Sequence, residues 1–274
     1  MKISVALCTC NGEKFLREQL ESILHQTVQP HEIIIGDDAS SDETMGIIYE
    51  FKLRYPLIIS SFEHKTRLGT LKNFESIIAL CTGDVIFLCD QDDVWRTDKV
   101  DIIMRFFIEN KKALLVFTDA ELIDEHCSLL PKTLWDRWEF TLKLQENWKN
   151  NKYAFRDLLQ NRNRVTGATV AFKSGLKNKV LPFNLPYGYW HDAWLALHAA
   201  ALGGLYFLNT QLIQYRIHPA QQVGIKSTDS LKKNIEFGTI STEQMYNHMV
   251  ATYPKMFQKE NIGLRLLKKL ARSL

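Results

Sequence analysis

The sequence predicts an α/β fold on a mostly parallel, open sheet. Three observations carry that prediction. Short apolar runs alternate with helical-period segments through the first 120 residues. Runs such as Val85-Ile86-Phe87-Leu88-Cys89 are apolar throughout, as strands buried on both faces must be. Acidic residues stand directly after two of these runs, where open α/β sheets bind ligands.

Ile3–Thr9 reads as the first strand, and its short apolar run suits a strand better than a leader peptide. Glu13–His25 follows as a helix, with Phe15, Leu16, Leu20, Ile23 and Leu24 on one side. Glu32–Gly36 is the second strand. Ser40-Ser41-Asp42-Glu43 has the spacing of a capping box and is expected to open a helix reaching Tyr55. Ile58–Phe62, Val85–Cys89 and Leu114–Thr118 are further strands, separated by helices over Leu71–Cys81 and Asp98–Asn110. The second half is less regular. It reads as a helical stretch Trp135–Leu159, a strand Val165–Phe172, a Pro-rich loop near Pro182–Pro186, a helix His191–Leu202 and a strand Leu205–Leu208.

Composition bounds the function. With 46% hydrophobic and 24% charged residues over 274 positions, a disordered or disulfide-scaffold chain is excluded. The most apolar stretch, Ala193–Leu208, is 16 residues and carries His198 and Gly203-Gly204, short of the roughly 20 a membrane span needs. Four of the five cysteines (Cys8, Cys10, Cys81, Cys89, Cys127) lie in apolar runs, so free thiols and a cytoplasmic location are expected. The net charge of +3 is uneven: from Lys255 onward six basic residues face one acid, Glu260, while the remainder is nearly neutral. That balance argues against a nucleic-acid binder.

Asp37-Asp38 ends the second strand, and Asp90-Gln91-Asp92-Asp93 ends the fourth. Three carboxylates within four residues repel one another unless a cation sits among them. Oxygen donors without a Cys or His cluster select a hard ion, Mg²⁺ or Mn²⁺. A solvated acidic turn would carry the same residues, but its place after a buried strand favours a metal–diphosphate site. Neither G-x-G-x-x-G nor G-x-x-x-x-G-K-[ST] occurs, which disfavours nicotinamide dehydrogenases and P-loop NTPases. A diphosphate would rely instead on metal and on basic side chains such as Arg67, Lys72 or Arg216.

The strings Cys8-Thr9-Cys10-Asn11-Gly12-Glu13, Asp37-Asp38-Ala39-Ser40-Ser41-Asp42 and Cys89-Asp90-Gln91-Asp92-Asp93-Val94-Trp95 resemble family 2 glycosyltransferases of the GT-A fold. Thr166-Gly167-Ala168-Thr169, His191-Asp192-Ala193-Trp194-Leu195-Ala196 and Tyr215-Arg216-Ile217-His218 follow in the expected order and resemble the rhamnosyltransferase-like branch. The resemblance covers roughly residues 1–225. It implies a nucleotide-sugar-binding half (1–120), an acceptor-binding half (121–225) and a C-terminal helical extension (226–274).

The resemblance also implies roles. Thr9, Asn11 and Asp38 would bind the pyrimidine base and ribose of a dTDP- or UDP-linked sugar, and Asp38 cannot distinguish uracil from thymine. Asp90 would hold the ribose, and Asp92 and His218 the metal, with Asp93 either a further ligand or a cap of the following helix. Arg216 would lie over the diphosphate. Asp192 would be the catalytic base, although an N-cap role for it stays open. Trp190 and Trp194 would stack on the acceptor, while for every tryptophan a place in the core is the competing reading. Cys10 stands where an aromatic is usual, Ala39 where Gly is, and Thr97 where Pro is frequent.

The activity implied is inverting, metal-dependent transfer of a sugar, L-rhamnose from dTDP-rhamnose first, onto a glycan or lipid-linked glycan acceptor in surface polysaccharide synthesis. A UDP-hexose donor such as UDP-glucose or UDP-galactose, or a catalytically silent nucleotide-sugar-binding module, are the alternatives. His191-Asp192 alone would also suit a metal phosphohydrolase, but the parallel α/β first half contradicts that all-helical class. Sugar-phosphate nucleotidyltransferases share the sheet type, yet Asn11-Gly12-Glu13 stands where they carry a Gly-rich basic loop. As a helix, Gly263–Leu274 places Leu266, Leu267, Leu270, Ala271 and Leu274 opposite Arg265, Lys268, Lys269 and Arg272. Packing on the protein and an interfacial helix on anionic lipid are both open, and the second is the expectation, with the protein peripheral at the cytoplasmic face.

Overall fold

A computed structural model describes residues 1–161, 163–186, 188–219, 221 and 238–257. The tail helix expected over Gly263–Leu274 lies outside the described residues.

The first half runs β1 (Ile3–Thr9), α1 (Leu16–Leu24), β2 (Glu32–Asp37), α2 (Thr44–Arg54), β3 (Ile59–Glu63), α3 (Thr70–Leu80), β4 (Val85–Cys89), β5 (Val94–Trp95), α4 (Lys99–Glu109) and β6 (Leu115–Ile123). The second half adds β7 (Leu129–Thr133), α5 (Leu134–Arg137), α6 (Leu142–Trp148) and α7 (Asn151–Gln160). A 3₁₀ turn (Gly167–Thr169), β8 (Ala171–Lys173), α8 (Ser174–Val180), α9 (His191–Ala201), β9 (Leu205–Arg216), α10 (Gly238–Thr252) and α11 (Pro254–Phe257) complete it.

The strands form one sheet in the order β3-β2-β1-β4-β8-β6-β9-β5, with β7 on β6. β3, β2, β1 and β4 are mutually parallel, as expected. Side-chain alternation explains why their runs are apolar throughout. Ile3, Val5 and Leu7 of β1 enter one core with α1, α2 and α4, while Ala6 and Cys8 enter the other with α3, α7 and α9. β4 divides the same way, Val85, Phe87 and Cys89 against Ile86 and Leu88. Truncating Phe87, which is fully buried, to alanine would cost about 3–5 kcal/mol.

Beyond β4 the sheet is mixed. β8 is antiparallel to β4 and β6, β9 is parallel to β6, and β5 is antiparallel to β9. The strand expected over Val165–Phe172 is largely the 3₁₀ turn, with β8 beginning only at Ala171. β9 continues eight residues past the expected Leu208, to Arg216. Its pairing of Gln214 with Val94 of β5 brings the segment after β9 to the acidic loop that ends β4.

Two local expectations fail for identifiable reasons. Ser40 does not cap α2. Its hydroxyl donates to Asp37 Oδ1 (2.5 Å), and Asp42 instead accepts the Thr44 N–H (3.1 Å). The stretch Trp135–Leu159 is three helices, because Thr133, Thr141 and Asn150 each cap a new N-terminus with a side-chain oxygen. Glu139, at φ +54°, turns the chain between the first two. Among the described residues no helix is long and apolar enough to cross a membrane.

Candidate active site

β1 pairs with β2 on one side and β4 on the other, so the chain changes winding direction between β1 and β4. Such switch points leave a crevice at the carboxyl ends of the strands. Here it is a cleft of about 620 Å³, open to solvent, lined by Cys8, Thr9, Cys10, Asp38, Thr70, Asn73, Asp90, Gln91, Asp92, Tyr215 and Gln221.

The loops after β1 and β2 are tied together. Thr9 Oγ1 donates to Asp37 Oδ1 (2.8 Å), and the Asp38 N–H donates to the Thr9 carbonyl (2.9 Å). Asn11, at φ +51°, accepts the Ser41 N–H on its side chain (2.9 Å) and is not part of the cleft lining. Its role is to join the two loops. The buried Asp38 lines the cleft, and its two carboxylate oxygens receive the N–H groups of Leu68 (2.6 Å) and Gly69 (2.9 Å).

Gln91 is a cleft-lining residue that residue-type reasoning passed over. Its side-chain amide accepts from Cys10 N–H (2.7 Å) and donates to the Cys10 carbonyl (3.2 Å), locking the β1 loop to the acidic loop. Gly12 makes room for it, since a Cβ there would lie 2.4 Å from Gln91 Oε1. The pattern Asn-Gly beside Asp-Gln-Asp was the available signal. Thr70, Asn73, Tyr215 and Gln221 were also missed, because nothing local marks them as cleft residues.

Asp90 and Asp92 both line the cleft. Burial, then the charges of Asp92 and Asp192, push the Asp90 carboxyl up to about 7, with Lys99 opposing. His218 Nε2 lies 2.9 Å from Asp92 Oδ2. Asp93 turns away from the cleft lining: its Oδ1 accepts the Arg216 N–H (3.0 Å), and its Oδ2 is buried without a partner. Burial and its two acidic neighbours push it well up.

Arg216 is not positioned over the cleft. Its guanidinium is buried and engaged by the Asp92 carbonyl (2.8 Å), Glu18 Oε2 (2.6 Å), Cys127 Sγ (3.2 Å) and the Asp124 carbonyl (3.4 Å). It braces the acidic loop from behind. Lys72 points its ammonium at Glu75 (2.9 Å) on the surface of α3 and lines no part of the cleft. Of the three expected cations, Arg67 alone is exposed beside the cleft, where its side chain donates to Cys10 Sγ (2.6 Å), whereas Arg216 reaches the Asp92 carbonyl from the buried side.

Asp192 sits in the first turn of α9, whose N-cap is Trp190, so it is not the cap. Its Oδ1 accepts from Ala193 N–H (2.6 Å) and from Asn163 Nδ2 (2.9 Å). Burial raises its carboxyl to about 6, against the lowering by the N–H groups of Ala193 and Gly167 and by Asn163. The neighbouring His191 stacks on Phe74 (4.2 Å between centroids), and burial holds it neutral, at about 3.

Trp190 is 39% exposed, whereas Trp194 is buried in the core, its Nε1 donating to the Val180 carbonyl (2.9 Å). Trp194 therefore cannot meet an acceptor. Trp135 and Trp148 are core residues too, and Trp138 is tied to Thr166 Oγ1 (2.9 Å).

The family described as Glycosyl transferase family 2 matches residues 4–177. The chain belongs to that family. Among its relatives, the dTDP-rhamnosyl transferase RfbG of Shigella flexneri is 39% identical over 42% of this chain and 38% of its own length. An uncharacterized glycosyltransferase of Haemophilus influenzae is 23% identical over 97% of this chain and 75% of its own. A protein of Mycobacterium bovis, 35% identical over 34% of this chain, is matched over only 27% of its length. The fold is similar to that of S. aureus TarS 1-349 in complex with UDP-GlcNAc, with a TM-score of 0.61, 16% identity and coverage of 96% and 74% of the two chains. It is also similar to the mannosyltransferase PcManGT of Pyrobaculum calidifontis in complex with GDP-Man and Mn²⁺ (TM-score 0.58, 13% identity, 99% and 79%). The fold class is thus that of GT-A glycosyltransferases.

Among the described residues no three His, Cys, Asp or Glu side chains already converge as a complete metal site. The donor set nevertheless fits a divalent cation. Asp90 and Asp92 face one cleft, where the charge of Asp92 raises the cost of ionising Asp90, and the His218 imidazole lies against Asp92, a set of hard oxygen donors and one nitrogen.

Proposed function

We propose that this protein transfers a sugar from a nucleotide-diphosphate donor to a glycan acceptor, with inversion at the sugar carbon. The observation that carries this reading is the joint placement of Asp90 and Asp92 on the cleft and of a half-buried Asp192 carboxylate whose charge acts on Asp90. Asp90 and Asp92, with His218 behind Asp92, would hold Mg²⁺ or Mn²⁺, which when bound offsets the charge of the leaving diphosphate. Asp192 takes the proton from the acceptor hydroxyl as its oxygen attacks, and the sugar–diphosphate bond breaks on the opposite face. Asn163, Gly167 and Ala193 orient that carboxylate. The exposed Trp190, two residues before the base, offers a surface on which an acceptor sugar can stack. Thr9 and Asp38 would meet the nucleoside at the other end of the cleft.

For the donor we propose dTDP-rhamnose, supported by the RfbG match over 42% of the chain. A thermal-shift screen of dTDP-rhamnose, UDP-glucose and UDP-galactose, with and without Mn²⁺, tests it, since a ligand of the folded state raises Tm. A rise with dTDP-rhamnose and Mn²⁺ together is expected, and a larger rise with a UDP-hexose would replace the donor. Metal-dependent binding without donor hydrolysis or transfer would instead make the chain a binding module. A peripheral position at the membrane, with a lipid-linked acceptor, is proposed from the basic tail. Sedimentation of the full chain with anionic liposomes at low salt, lost on removing residues 263–274, would support it.

A further inference from the structure

The cleft wall at Cys10 presents no aromatic face, yet a flat cation stands there. Cys10 Sγ donates to the Asp38 carbonyl (3.4 Å) and receives an N–H from Arg67 (2.6 Å). The loop carrying Arg67 is held to the cleft by its two following residues, whose N–H groups both end on the buried Asp38 carboxylate. Gly69, at φ +85°, allows the chain to turn there, a conformation that strains any residue with a Cβ. Asp38 thus both lines the cleft and holds the loop that carries Arg67.

A guanidinium carries five N–H donors and a planar face, and a thiol is a weak acceptor. Among the described residues Arg67 forms no ion pair, whereas Lys72 is bound to Glu75 and Arg216 is buried with its donors engaged. Arg67 keeps its plane and most of its donors available beside Cys10 and Asp38. Arginine, unlike lysine, stacks on aromatic rings. We infer that Arg67 supplies, through the face of its guanidinium, the stacking platform for the nucleobase that Cys10 lacks. This rests on the nucleotide-sugar reading above, and it moves Arg67 from the diphosphate to the base.

Base and phosphate contacts separate in one experiment. Wild type, Arg67→Lys and Arg67→Met are titrated with uridine and thymidine, which carry no phosphate, and with UDP and dTDP in the presence of Mn²⁺. A stacking platform predicts that both variants weaken nucleoside and diphosphate by the same factor, about tenfold, with lysine no better than methionine. Loss confined to the diphosphates and restored by Arg67→Lys would overturn the inference in favour of a phosphate contact. Unchanged affinity throughout would overturn it as well. If wild type binds neither nucleosides nor diphosphates, the nucleotide-sugar reading fails first and takes the platform with it. Arg67 is exposed and outside the core, so neither variant endangers folding.

Discussion

The two walls of the site are built by different means. The wall from β1, β2 and β4 is made of strand ends that lie side by side, so its loops meet through short, regular contacts such as Thr9–Asp37 and Gln91–Cys10. The wall around Asp192 draws its parts from distant places: Asn163 reaches it from 29 residues upstream, and Gly167 from a 3₁₀ turn. The first wall concentrates charge and is braced from behind by Arg216, while the charge of Lys99 offsets Asp90 and Asp93. The second half-buries a single carboxylate and surrounds it with N–H donors. Clustered acids suit binding of a cation and a diphosphate, whereas a desolvated lone acid suits proton transfer. The difference teaches that, under the proposed function, binding and chemistry would fall to two regions built in different ways.

The largest effect expected is on the Asp192 side. Asp192→Asn keeps the size and most hydrogen bonds but cannot take a proton, so transfer should fall by about 10²–10⁴-fold with donor affinity unchanged. Steady-state kinetics beside calorimetric titration of the donor separate the two. A parallel loss of affinity would break the division of labour.

Asp92→Asn is the converse. Mn²⁺-dependent affinity for UDP or dTDP should drop by at least about 10-fold, while metal-free binding stays as in wild type. Equal metal dependence in both proteins would remove Asp92 from the metal site.

A third outcome concerns pH. The folded Asp192 carboxyl is raised to about 6 from an ordinary 3.8, so the ionised base exists only above about 6. The rate should therefore rise as pH increases through about 6 and then level off. The same sign means that ionising Asp192 disfavours the folded state, so its contribution to stability declines between about 4 and 6. Asn163→Leu removes a donor that favours the ionised form. The acid limb of kcat should then move up by about one pH unit, and a downward or absent shift would show that Asn163 does not orient the base.

The smallest expected effect is on the lock between the loops. Gly12→Ala places a methyl 2.4 Å from Gln91 Oε1, so Gln91 must swing off Cys10. Denaturant unfolding should report a loss of about 1–2 kcal/mol, with nucleotide affinity reduced severalfold and kcat on bound donor preserved. Full stability in the alanine variant would mean that the two loops stand without the lock.

Much of the first wall was legible because its chemistry is local. A buried strand must be apolar throughout, the acids that follow it are contiguous, and together they announce a site at a strand end. Period-2 burial divided Ile3, Val5 and Leu7 from Ala6 and Cys8 on the strength of sequence order alone. Asp192 was legible through the resemblance of the string His191-Asp192-Ala193-Trp194-Leu195-Ala196 to the family. What it needs from Asn163 and Gly167 was not, because those contacts follow from packing of a turn against α9.

Side-chain type also misled where two environments use the same residue. Trp194 and Trp190 are four apart on or beside one helix, yet one is buried and the other exposed. Only the packing of α8, α9 and α10 decides between core and surface. Arg216 and Arg67 are equally cationic in sequence, but β9 carries the first beneath the acidic loop and Asp38 holds the second at the cleft wall. The sequence alone determined the alternation, the parallel half of the sheet and the acids at its strand ends, because those depend on periodicity and contiguity. Which cation stands at the cleft, which tryptophan meets solvent and what raises the Asp192 carboxyl were decided by tertiary structure, because burial is set by neighbours far away in the chain.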